Sequence, residues 1–76
     1  MEKGLLWFDS DQKKDLLRKI RQASGRYRIK FGMEPNTCYV NNNALDEEKV
    51  LGGVRVKPSS TVLPHHLWLG WERGDA

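Results

Sequence analysis

A chain of 76 residues, 38% hydrophobic and 30% charged, has room for one folded domain spanning 1–76 and is too apolar to be a disordered tail. Cys38 is its single cysteine, which excludes an internal disulfide; with no apolar signal segment, the expected setting is reducing, intracellular and cytoplasmic. The net charge of +3 is unevenly held: Ser10 to Gly32 carries eight Lys/Arg against two Asp, and the remainder carries five against eight acids. The basic character therefore belongs to one element. No uncharged apolar run approaches the roughly 18 residues that a membrane span requires.

In chain order, Gly4 to Phe8 (GLLWF) is a short apolar and aromatic run that reads as a strand. It ends at Asp9-Ser10-Asp11, where Asp9 or Ser10 is suited to accept backbone N–H groups at a helix start and Asp11 to face the positive end of the dipole. Leu16, Leu17, Ile20, Ala23, Tyr27 and Phe31 then fall on one side of a helical wheel, a single core-facing stripe. Asp15 and Lys19 stand four apart and are expected to pair. Gly32 suits the left-handed position after the helix, and Pro35 forbids continuation.

Thr37 to Asn41 reads as a strand and Asn41-Asn42-Asn43 as turn chemistry; Ala44 to Lys49 is expected to be an acidic loop or a single helical turn. Gly52-Gly53 breaks the chain before Val54-Arg55-Val56-Lys57, a clean period-2 alternation. Pro58 to Thr61 is a loop, His66 to Trp71 a last strand, and residues 72–76 a loose tail. The order is β-α-β-β-β. This predicts a two-layer α+β domain with one long helix packed on one face of a small, mostly antiparallel sheet.

One helix covers one face of such a sheet, and nothing in the sequence obviously covers the other unless the C-terminal tail or the 42–51 loop folds over it. Sorting the strands by parity places Leu6, Phe8, Cys38, Val40, Val54, Val56, Leu67 and Leu69 toward the helix. The open face then receives Leu5, Trp7, Tyr39, Asn41, Arg55, Lys57, His66 and Trp68. That surface mixes aromatic rings with cations, and Trp7, Tyr39, Arg55, Lys57, His66 and Trp68 are its candidate partner-binding residues.

Chemistry is the weaker expectation. His65 and His66 are neighbours on an extended segment and point to opposite faces, so they converge only if Pro64 holds His65 in a turn. With Cys38 they lack the CxxC or HxxxH spacings of zinc sites. Cys38 lies among β-branched and aromatic residues, which suits a core thiol and not a nucleophile. Gly52-Gly53 lacks the lysine-serine and helix start of a phosphate loop, and Asp46-Glu47-Glu48 lacks calcium-loop spacing. No enzymatic activity, metal, cofactor or small-molecule substrate is expected; a small Cys/His metal protein or enzyme is the remote alternative.

Lys14, Arg18, Arg21 and Arg28 cluster on the helix side opposite the apolar stripe, together with Gly25 and Ile29. Such a ridge is suited to a phosphate backbone. Aromatic rings with cations on a bare sheet are a second route to nucleic acid, although the aromatic strand signature and second helix of the RNA-recognition fold are missing.

The stretches RYRIKFGMEPNTCYVN (Arg26 to Asn41) and VLPHHLWLG (Val62 to Gly70) resemble those of short uncharacterised bacterial proteins. The resemblance implies only a small bacterial intracellular protein that folds alone, and carries over no functional residues. The expected function is a non-enzymatic protein-interaction module, including self-association as a homodimer through the aromatic face. A nucleic-acid-associated module using the basic helix face is the alternative.

Overall fold

The structure, a computed structural model, describes residues 4–73. Its elements are β1 (Gly4–Phe8), α1 (Leu16–Phe31), β2 (Thr37–Asn41), β3 (Lys49–Leu51), β4 (Val54–Ser59) and β5 (His66–Gly70). The strands form one sheet in the order β1-β5-β2-β4-β3, with only the β2–β4 pairing parallel. One helix lies on one face of a mostly antiparallel sheet, the α+β architecture expected from the sequence. β1 and β2 are joined by α1 but do not touch, because β5 is inserted between them. This is a split β-α-β unit.

The helix stripe packs as the periodicity requires. Ile20, Ala23 and Tyr27 are buried against Cys38, Val40, Val54, Val56, Leu67 and Leu69, with Leu16 and Phe31 at the margins. The Tyr27 and Phe31 rings are 4.5 Å apart. Leu45 is also buried in this core, so the acidic segment after β2 is pinned by one leucine.

The helix starts later than the Asp9-Ser10-Asp11 run suggested. Asp15 is the cap: its backbone is extended and its carboxylate accepts the Arg18 N–H. Asp9 and Asp11 instead accept the N–H of Asp11 and Lys13, two residues on. These are successive local turns that compete with helix. Lys19, expected to pair with Asp15, donates through Nζ to the Asp9 carbonyl. The helix end is as anticipated, with Gly32 at φ 73° donating its N–H to Arg28 O.

A fifth strand corrects the expected count. Lys49–Leu51 pairs antiparallel with β4 through the two-residue turn Gly52-Gly53, whose φ angles are 57° and 79°. Positive φ at both central residues is the turn that matches strand twist, and Gly-Gly between apolar residues is its signature. The pair is therefore a hairpin and not a break. The expected loose tail is corrected in part: the Asn36 side chain accepts the Glu72 N–H and donates to the Glu72 carbonyl. Residues 74–76 lie outside the described residues.

Candidate interaction surface

The face of the sheet away from α1 carries the residues that the fold leaves without a core partner. Register defines its rows. Leu6 lies opposite Trp68, Trp68 opposite Tyr39, and Tyr39 beside Lys57. A second row begins with Phe8 opposite His66. Parity holds for β2, β4 and β5 and is inverted for β1. Trp7 faces Leu67 and Leu5 faces Leu69; both pack against the core on the helix side. Trp7 is thus removed from the open face, while Leu6 and Phe8 move onto it and are 57% and 59% exposed.

The inversion has a local cause. All of Leu5, Leu6, Trp7 and Phe8 are apolar, so alternation alone cannot say which pair points inward. Gly4 decides it. A Cβ there would lie 2.6 Å from Trp68 Cζ2 and 3.0 Å from the Leu69 carbonyl oxygen. The indole occupies the space of the missing side chain, which puts Gly4, and with it Leu6 and Phe8, on the Trp68 side.

The two halves of the face differ in character. Toward β4 the polar groups are engaged with one another. The Tyr39 hydroxyl donates to Glu72 Oε2 at 2.7 Å, and Lys57 Nζ lies 3.4 Å from Glu72 Oε1. Lys57 also sits 5.7 Å from the Tyr39 ring centre. The hydrogen bond from Tyr39, aided by Lys57, holds the Glu72 carboxyl below its usual range. The same bond, with the neighbouring negative charge, raises the Tyr39 phenol. Arg55 approaches Glu48 at 4.0 Å. Of the cations proposed as partner contacts, Lys57 is therefore engaged by Glu72, while Arg55 stays mostly exposed beside Glu48.

Toward β1 the surface is apolar. Leu6, His66 and Trp68, with Thr61, Val62 and Leu63 of the β4–β5 loop, line an open cavity of about 330 Å³. The loop is held over the sheet by Asn41, whose side-chain amide donates to the Val62 carbonyl. Pro64 places His65 in a turn at φ 66°, with His66 N–H donating to Leu63 O. Proline followed by a positive φ is the pattern of a type II turn, a position glycine normally fills. Both imidazoles lie against Phe8, with ring centres 6.4 Å away for His65 and 5.0 Å for His66. His66 Nδ1 is 2.9 Å from the Pro64 carbonyl, which can only accept, so Nδ1 carries the proton.

The Cys/His constellation is not assembled. Cys38 is buried on the helix side opposite Leu69, and burial pushes its thiol up to about 12. His66 is on the opposite face. Among the described residues, no group of three His, Cys, Asp or Glu side chains is placed to hold a metal ion.

The basic ridge is only partly free. Lys14 lies before the helix and is bound to Asp9 at 3.1 Å and to Gln22 at 2.8 Å. Arg28 is paired with Glu34 at 2.7 Å. Arg18 and Arg21 make no ion pair among the described residues. Ile29 is 77% exposed. Among the described residues, no helix is long and apolar enough to cross a membrane.

Leu6, Phe8 and Glu72 are the residues that sequence reasoning missed. The signal for the first two was the parity they share with Gly4. For Glu72, 33 residues from Tyr39, the sequence carried none. Comparison with known families, curated proteins and solved structures finds no match.

Proposed function

We propose that this chain is a non-enzymatic protein-interaction module whose contact surface is the β1–β5 half of the open sheet face. The observation that carries this reading is the paired exposure of Leu6 and Phe8 beside His66, Trp68 and the loop-lined cavity. Two large apolar side chains on adjacent positions of one face favour a protein surface. The internal pairing of Lys57 supports the same choice, because a phosphate backbone would have to compete with Glu72.

A second reading rests on Arg18, Arg21 and the exposed Ile29, and assigns the helix to nucleic acid. It is the weaker one, since Lys14 and Arg28 already have partners.

One experiment separates the two. A photo-crosslinking amino acid is placed at Phe8 or at Ile29, and the protein is irradiated in the cells that produce it. The expected result is protease-sensitive adducts from position 8. Nuclease-sensitive adducts from position 29 alone would establish the helix reading instead. Adducts from neither position would leave both readings without support.

A further inference from the structure

We infer that the partner is a second copy of this chain, joined edge to edge through antiparallel β1 strands about a two-fold axis at Leu6. This rests on the β1–β5 surface being the contact and names what meets it.

The backbone supplies the first reason. Asp9 N–H donates to the His65 carbonyl at 2.9 Å, in register with the β1–β5 ladder. Bonded and non-bonded pairs alternate along an antiparallel ladder. Leu5, Trp7 and Asp9 therefore direct their peptide groups at β5, and Gly4, Leu6 and Phe8 direct theirs outward. Among the described residues, no element pairs with those outward groups. They form the template for one more strand.

The two edges of the sheet are treated differently. Natural edges are blunted by shortness, lysine, proline or a bulge. The β3 edge has three residues and begins with Lys49. The β1 edge has five residues and none of these devices. Charge points the same way. The chain carries a net +3, so contacts between copies through the basic helix repel. From Gly4 to Phe8 there is no charge, and β5 behind it contributes only His66.

Side chains complete the fit. A two-fold axis at Leu6 places Leu6 opposite its own copy and Phe8 opposite Gly4 of the copy. Gly4 offers no side chain on that face, and the Trp68 indole beside it gives the incoming Phe8 ring an apolar wall. An aromatic ring across from a strand glycine is a favourable cross-strand pair. The row Tyr39–Trp68–Leu6 then continues in reverse order on the copy, and Leu6 and Phe8 gain apolar neighbours across the seam.

The test uses the full chain. Sedimentation across a concentration range is expected to show conversion from monomer to dimer. In Leu6→Cys the two thiols are expected to form an intermolecular disulfide under mild oxidation, because bonded antiparallel pairs stand about 5.5 Å apart at Cα. Val50→Cys, the outward position of the β3 edge, is the control and is expected to stay uncrosslinked. Buried Cys38 does not compete. A wild-type chain that stays monomeric at every concentration overturns the inference without relying on any variant. Crosslinking at position 50 as fast as at position 6 also overturns it. If the chain is monomeric yet Phe8 crosslinks to a different protein in cells, the contact surface stands and only the self-pairing fails.

Discussion

Gly4 and Trp68 show how one absent side chain sets a strand's orientation. Replacing Gly4 by Ala would force a methyl against a rigid indole and a backbone carbonyl; overpacking of this kind costs about 1–3 kcal/mol. Gly4→Ala is expected to lower stability by about 1 kcal/mol or more in chemical denaturation, and an unchanged midpoint would show that the indole is not held there. Tyr39 and Glu72 form the second residue-level device. Glu72 has a depressed pKa in the folded state, so its contribution is present above the unfolded carboxylate value and is lost as pH falls through the folded one. Tyr39 has a raised pKa, so its contribution is present below the ordinary phenol value and is lost as pH rises. Tyr39→Phe is expected to cost about 1 kcal/mol at neutral pH, with the gap from wild type narrowing in acid. A gap in thermal melts that stays constant as pH falls through the folded carboxyl value would mean that the charge on Glu72 adds nothing to the bond. Neither partnership could be read from the sequence, because each joins residues more than thirty positions apart.

At the scale of elements, what was legible followed from periodicity and what was missed followed from its absence. The helix carried six apolar residues at helical spacing and a glycine stop; five of the six pack in or against the core, and the stop is in place. Its start was misplaced because Asp9 and Ser10 offered caps, and Asp11 an acidic first turn, ahead of Asp15, and only local turn geometry separates them. β3 was missed because three residues are too few to show alternation. β1 was recognised as a strand, but its parity was ambiguous because every side chain after Gly4 is apolar. Gly25 remains a loose point in the helix. A Cβ there meets nothing within 4 Å, and glycine in a helix interior costs about 1 kcal/mol relative to alanine. Gly25→Ala is expected to raise the denaturation midpoint by up to that amount, provided that nothing else needs the bare backbone. A loss of stability would show that the helix bends there.

For the whole molecule, fold class was readable from the order and spacing of elements, while strand order was not. Parity gave most of the open face correctly, and the proposed contact surface lies to one side of it, since Glu72 engages Tyr39 and Lys57 toward β4. Edge pairing between copies also has a thermodynamic signature at this scale. Association of folded chains stabilises them by mass action, so the melting temperature is expected to rise with protein concentration, and Leu6→Cys crosslinking is expected to abolish that dependence. The central position of β5 has a further consequence. β1 is made before the other described strands, and its neighbour within the fold is the last of them, so GLLWF has no mate in this sheet until the ribosome has passed residue 70. Until then both edges of that ribbon are open to water, and the length of the exposure is dictated by where in the gene its mate is encoded.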